Sequence, residues 1–160
     1  MDDLKKEFIK EVTAAARSRF VVDVFADMVR SMAIAIESQL SLGERHAELE
    51  KEYAQIRDRY TEEEFSHFPI AFALVQFALE RRREDFLGHA LEELGAANTR
   101  NGQFLTPVCV SRFMAACGCR GIEYTPGKVI RLSDPSCGSS VLLIEGAEQF
   151  QCSALKIANR

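Results

Sequence analysis

The residues best suited to bind a ligand lie in one short turn. Residues 129–132, Val-Ile-Arg-Leu, have the apolar character of a short buried strand, and residues 138–150 have the pattern of a helix. Between them lies Asp134-Pro-Ser-Cys-Gly-Ser-Ser140. A glycine in such a turn lets the backbone approach a ligand closely, and the following helix offers free amide donors. This order of strand, turn and helix predicts a site for a nucleotide-like ligand.

A second segment precedes this strand and reads Asn101-Gly-Gln-Phe-Leu-Thr-Pro107. Together the two segments resemble those of N6-adenine DNA methyltransferases, of the kind found as modification subunits of type I restriction systems. That family carries Gly-Gln-Phe-x-Thr-Pro, a short helix, and a strand leading into Asp-Pro-x-Cys-Gly-Ser-Gly-Gly-Phe-Leu-Ile-Glu-Ala. The second segment here continues through Val-Leu-Leu-Ile-Glu-Gly146, and Asp85-Phe-Leu-Gly88 resembles the helix that leads into the first segment. The resemblance covers roughly residues 84–150.

The resemblance implies that both segments bind S-adenosylmethionine. Four residues of the first segment would lie against the methionine part of the cofactor: Gln103, Phe104, Thr106 and Pro107. Four residues of the second would end the first strand and shape the loop under the cofactor: Asp134, Pro135, Gly138 and Ser139. Alternatively, Phe104 belongs to the core and Thr106 only caps a helix.

The sequence departs from the family in ways that bear on activity. Ser140 and Val141 stand where the family has two glycines, and valine disfavours the positive φ that glycine permits. The catalytic segment Asn/Asp-Pro-Pro-Tyr/Phe, which binds the flipped adenine, is missing, because no two of the four prolines are adjacent. The acid that ends a second strand and holds the ribose hydroxyls is missing too. We therefore expect weak cofactor binding or none, and no catalytic residue.

Amphipathic helices are expected to position these segments. Gly43 is expected to end the helix at residues 21–40, and Asp85 is expected to cap the helix at residues 85–94. The spacing of apolar residues predicts helices at residues 4–16, 21–40 and 85–94, and the strongly charged residues 44–60 are expected to form a surface helix.

Two further helices follow from local signals. One is expected to begin near Phe65, after a capping box of Thr61 and Glu64, and its apolar composition predicts complete burial. The other is expected to start at Thr106 and Pro107, because proline is tolerated in a first turn. The apolar side of this second helix is predicted to consist of Val108, Val110, Phe113 and Met114.

The predicted fold class is mainly α, with two parts. Residues 1–97 form a helical N-terminal region. Residues 98–160 begin an α/β, Rossmann-like methyltransferase domain with its first strand–loop–helix unit, and this domain is incomplete. A strand without neighbours leaves backbone groups unpaired on both edges, so we expect a homo-oligomer or a partner methyltransferase subunit.

Composition limits the partners and the location. The formal net charge of −4 does not predict a basic DNA-binding face, so DNA is a partner by resemblance alone, and the arginines at 81–83 are read as a solvated helix surface. Five cysteines without a signal peptide predict free thiols in the cytoplasm. Apolar stretches are too short to span a membrane, and Cys117 and Cys119 lack the second ligand pair of a zinc site, so we expect neither membrane nor metal.

Two functions remain from the sequence. The first is a truncated N6-adenine DNA methyltransferase-like protein that is inactive on its own. The alternative is a helical interaction or oligomerisation module, using the apolar helix at 65–79 to bind a full-length methyltransferase or itself. The three histidines lie in no nucleophile–base arrangement, so an enzyme with its own complete site has no support.

Overall fold

The computed structural model describes residues 2–17, 19–95, 105–122, 125 and 129–158, without the side chains of residues 151–158. Within these ranges the chain is mainly α, as predicted, and no strand is present. The helices are α1 Asp2–Ala16, α2 Val21–Ser38, α3 Glu44–Arg57, α4 Glu62–Phe65, α5 His67–Arg81, α6 Phe86–Glu93, α7 Val108–Gly118 and α8 Val141–Ala158.

Helices α1 to α6 form a bundle with one hydrophobic core. Helix α1 packs along α5 and also contacts α2 and α6. Its buried residues recur at helical spacing, with Phe8 and Val12 fully excluded from solvent. The ring of Phe8 meets Phe25 of α2 and Phe86 of α6 edge to face, with centroids 6.1 and 5.6 Å apart. One side chain of α1 therefore ties three helices together.

The junction before α5 is fixed by the predicted capping box. Thr61 N–H donates to Glu64 Oε2 at 2.9 Å, and Glu64 N–H donates to Thr61 Oγ1 at 3.2 Å. Arg19 donates to the same carboxylate at 2.9 Å. The Thr61 backbone hydrogen bond, followed by Arg19, holds the pKa of Glu64 below its ordinary value. The capping-box prediction is confirmed.

Two predictions about the bundle are wrong. Helix α2 ends at Ser38, and Gly43, at φ +63°, lies instead at the N-cap of α3. Leu40 is 84% exposed, so extending α2 to it would bury nothing. Helix α5 is not wholly buried either, because only one of its sides faces α1 and α2; Phe77 on the other side is 56% exposed.

Helices α7 and α8 pack against each other in the C-terminal part of the chain. The side of α7 that is buried carries Ser111 and Ala115, whereas Val110, Phe113 and Met114 are exposed. The predicted apolar side is therefore wrong. Small residues face α8 because they let the two backbones approach closely.

The predicted strand at residues 129–132 is also absent. These residues have no regular structure, and Val129 is 83% exposed. A strand is stabilised by hydrogen bonds to a neighbouring strand, and the described ranges contain no segment that could supply them. Apolar, β-branched composition alone did not produce a strand here. No helix in the described part of the chain combines the length and apolarity needed to cross a bilayer.

Candidate functional site

The turn that leads into α8 is built from local hydrogen bonds and left-handed residues. Asp134 Oδ1 accepts the backbone N–H of Ser136 at 2.9 Å, and Ser140 N–H donates to the carbonyl of Cys137 at 2.6 Å. Gly138 has φ +50° and Ser140 has φ +66°. Helix α8 then begins at Val141.

The strain expected at Val141 lies instead at the preceding residue. Val141 is the first residue of α8 and is buried, whereas Ser140 adopts the left-handed conformation that disfavours side chains. Position 140 therefore has a backbone conformation that favours glycine, with a serine occupying it.

The two sequence segments meet at a small cavity beside this turn. Thr106 of the first segment and Asp134, Gly138 and Ser139 of the second all line it. Leu105 lies against the turn as well, since a Cβ built on Gly138 would stand 3.9 Å from Leu105 Cδ2. Four predicted site residues from both segments are therefore brought together.

The remaining predicted site residues are placed differently. Pro107 is the N-cap of α7 and is exposed, and Pro135 is exposed in the turn; neither lines the cavity. Gln103 and Phe104 lie outside the described residues. Thr106 does not cap α7, because Pro107 occupies that position and no side chain bonds the helix start.

The cavity is much smaller than a cofactor site. Its volume is about 70 Å³, room for about two water molecules, whereas pockets that enclose small ligands measure roughly 300–1,000 Å³. Polar groups of Thr106, Asp134 and Ser139 suit the ammonium and carboxylate of an amino acid moiety. A cavity of this volume has no room for a whole nucleotide-like ligand.

A hydrogen bond that sequence reasoning missed connects the turn to the bundle. The hydroxyl of Ser139 donates to Asp85 Oδ2. Asp85 was expected only to cap α6, which it does by accepting the N–H of Gly88 at 2.8 Å. The sequence signal for this bond is Gly88, three residues after Asp85. The reason for a glycine there becomes visible only in the folded chain, where a Cβ would clash with the Asp85 carboxylate.

An ion pair, likewise not predicted, joins α7 to α8. Arg112 donates to both carboxylate oxygens of Glu145, each at 3.1 Å, and the Glu145 side chain is 7% exposed. This hydrogen bonding raises the pKa of Arg112 above its ordinary value. Two charge-assisted hydrogen bonds between the same two side chains fix the packing of α7 against α8.

The arginines at 81–83 lie at a groove of about 510 Å³ between the end of α5 and the α7–α8 pair. Neighbouring carboxylates offset their charge: Arg82 bonds Glu84 at 3.1 Å, and Arg83 lies 3.9 Å from Glu148, which also lines the groove. The groove mixes both signs, so it offers no strongly basic surface for phosphates.

Another cavity, of about 680 Å³, lies on the bundle beside α3, α4 and the start of α5. Tyr60 at its edge donates to Asp27 at 2.7 Å, and burial raises the pKa of this phenol. A phenol that stays protonated is a structural hydrogen-bond donor here. Among the described side chains, no cluster of three or more potential metal ligands occurs.

Comparisons with known proteins returned no match, whether with family models, with curated proteins or with solved structures. What the chain does is therefore inferred from its own residues and their geometry.

Proposed function

We propose that this chain is an N6-adenine DNA methyltransferase-like protein that carries the cofactor-side beginning of the catalytic domain and is inactive on its own. The observation that carries the proposal is the cavity shared by Thr106, Asp134, Gly138 and Ser139. The resemblance assigned these residues, which come from two separate segments, to one ligand. Their convergence supports that assignment.

The backbone of the turn gives further support. In the family, glycine occupies the position of Ser140, and in this chain that residue has φ +66°. Gly138, which is a glycine in the family pattern too, also has a left-handed backbone, with φ +50°. A serine in a conformation that favours glycine is what a substitution within a glycine-shaped turn would leave behind.

The same residues limit what the chain can do. S-adenosylmethionine, when bound, supplies an electrophilic methyl group, and transfer to adenine requires acceptors for the target amino group. The sequence has no Pro-Pro-aromatic segment to provide them. Thr106, Asp134 and Ser139 would hold one end of the cofactor, and no residue of the chain is assigned to the transfer.

The test is titration of the isotope-labelled chain with S-adenosylmethionine, followed by NMR. We expect millimolar binding that shifts the amides of residues 105–106 and 134–141, and loss of those shifts in Gly138→Val, where a β-branched side chain is strained at positive φ. Ser133→Ala, at an exposed residue that does not line the cavity, is the matched control. Absence of shifts at these amides up to about 10 mM, a binding free energy weaker than about −3 kcal/mol, would contradict the proposal.

Activity is tested separately. Incubation with DNA and radiolabelled cofactor should transfer no label to adenine, because the base-binding segment is missing. Transfer that Gly138→Val abolishes would show that the chain is a complete enzyme, contrary to the proposal.

A second candidate function is an interaction module. The apolar residues Val110, Phe113 and Met114 of α7 are exposed, with Phe113 at 69%. Light scattering at high micromolar concentration should show a dimer or larger species that Phe113→Ser weakens. Phe20→Ser, which alters a phenylalanine of the bundle that is 81% exposed, is the control. A monomer at all concentrations would remove this candidate.

A further inference from the structure

Asp85 binds two parts of the chain with one carboxylate. Its Oδ1 accepts the N–H of Gly88, which caps α6, and its Oδ2 accepts the hydroxyl of Ser139. The two bonded residues belong to the helical bundle and to the turn before α8, respectively. Asp85 is 6% exposed, so water competes little for either oxygen.

Gly88 makes this double use possible. A Cβ at Gly88 would lie 2.2 Å from Oδ2 and 2.6 Å from Cγ of Asp85, closer than atoms can approach. Any other residue there would push the carboxylate away from Ser139. A cap alone needs only one acceptor, which serine or threonine also provides, and glycine is unfavourable within a helix. The carboxylate supplies the second acceptor that the bond to Ser139 requires, and Gly88 leaves room for both of its oxygens, since the Cβ would also lie 2.6 Å from the capping atom Oδ1.

The bundle holds the carboxylate rigidly. Phe86, the first residue of α6, packs edge to face on Phe8 of the core, and Ala90 is fully buried one turn later. Lys5 of α1 pairs with Glu93 at the other end of α6 at 2.8 Å. Asp85 therefore cannot move without disturbing the core.

The turn on the other side has weaker support, from two local hydrogen bonds and from Leu105 beside Gly138. Cys137 and Gly138 are exposed, and left-handed residues stand on both sides of Ser139. Few apolar contacts and a strained backbone are features of segments that open locally. The Ser139 hydroxyl is the point at which the rigid bundle reaches this turn.

We propose that Asp85 is a positioning residue of the candidate site, which fixes the turn at residues 134–140 by holding the Ser139 hydroxyl. The shape of the cavity beside Thr106 and Asp134 then depends on the docking of α6, although α6 does not touch the ligand. The inference rests on the proposed function only for the identity of that ligand.

Hydrogen exchange of the ligand-free full chain tests the contact directly. In Ser139→Ala we expect the amides of residues 137–141 to exchange about tenfold faster or more, since a bond to a charged acceptor is lost. The melting temperature of the bundle should not change, because the bond from Gly88 to Asp85 remains. Ser139→Thr, which keeps the hydroxyl, should restore slow exchange, and Ser136→Ala is the matched control.

A second variant separates positioning from capping. Asp85→Ser keeps one capping oxygen but has none for Ser139. It should accelerate exchange at residues 137–141 as much as Ser139→Ala does, and the double variant should add nothing. Additive effects, or unchanged exchange at these amides in Ser139→Ala, would overturn the proposal. If Asp85→Ser fails to fold, Ser139→Ala and Ser139→Thr still decide the question.

Titration with S-adenosylmethionine distinguishes this inference from the proposed function. If the cofactor binds, Asp85→Ser should bind it about tenfold more weakly than the natural chain does. Ser133→Ala, at an exposed residue that does not line the cavity, should bind it as the natural chain does. Equal affinity of Asp85→Ser and the natural chain would sink the positioning role and leave the proposed function standing. Faster exchange in Ser139→Ala without any cofactor binding would support the contact and contradict the proposed function.

Discussion

The bundle of α1 to α6 and the pair of α7 and α8 are stabilised differently. All but two of the buried hydrophobic residues in the described part of the chain belong to the bundle; the two others are Ala115 and Val141. The pair relies on close contact of small residues and on the ion pair between Arg112 and Glu145. It meets the bundle through polar groups, chiefly Ser139 with Asp85 and Arg83 with Glu148.

This difference shows how a stable region can support a weakly stable one. Burial of apolar surface is the main source of folding free energy, and the described side chains of the pair contribute little of it. Polar contacts with the bundle select one arrangement of the turn but add little stability. We therefore expect the two regions to respond differently to mutation and to opening.

The largest difference should appear with aromatic residues. Phe8→Ala should lower the free energy of unfolding by about 3–5 kcal/mol, because it leaves a cavity in a fully packed core. Phe113→Ala, at an exposed position of α7, should change it by less than about 0.5 kcal/mol. Urea denaturation followed by circular dichroism measures both. Equal losses would mean that α7 has a packed environment of its own.

The rate of local opening should also differ between the two regions. The amides of α7 should exchange at least about a hundredfold faster than those at the centres of α1 and α5, because α7 opens without unfolding the bundle. Mass spectrometry of peptides covering Val108–Gly118 and His67–Arg81 gives the comparison. Matching rates would show that the chain unfolds as one cooperative unit.

The capping box tests the bundle at one helix end. Thr61→Ala should cost about 1 kcal/mol of unfolding free energy, since the N–H of Glu64 loses its acceptor. Thr13→Ala is the control, because Thr13 lies inside α1 and donates only to the Ile9 carbonyl. A loss in the control as large as that in Thr61→Ala would argue against a capping role.

In the turn before α8, one substitution should raise the stability instead of lowering it. Ser140→Gly should stabilise the start of α8 by about 0.5–1 kcal/mol, the relief at φ +66° minus the entropy that glycine loses. Val141→Gly, one residue further, should destabilise it, because Val141 is helical and buried. Hydrogen exchange in the first turn of α8 measures both. A gain in stability in Ser140→Gly, together with a loss in Val141→Gly, is the result that would confirm the strain at Ser140.

The smallest effect concerns pH. The pKa of Glu64 is lowered in the folded chain, so the stabilisation by its charge is complete above the unfolded value of 4.5 and is lost as pH falls through the lower folded value. Glu64→Gln keeps the capping acceptor and removes the charge. The natural chain should exceed this variant in melting temperature at pH 7, and the difference should shrink below pH 4.5. Glu63→Gln, at an exposed neighbour, should show a smaller change.

Local signals identified most of the bundle and part of the site. Helix periodicity, the Thr61–Glu64 box and the Asp85 cap depend on residues within one or two turns of each other, so the chain sequence contains the whole interaction. The prediction that Thr106 lies close to Asp134, Gly138 and Ser139 came from the resemblance of two sequence motifs to those of a known family. The failures have a common origin: the strand at 129–132 and the apolar side of α7 were inferred from composition without knowledge of what lies opposite.

The sequence by itself determined the helical character of the chain, because helix hydrogen bonds and caps are local. It also determined that no Pro-Pro-aromatic segment is present. Tertiary structure alone decided that Ser111 and Ala115 face α8 while Phe113 faces solvent, and that the second oxygen of Asp85 bonds Ser139. The physical reason is that burial and long-range hydrogen bonds depend on the partner surface, which no spacing along the chain specifies.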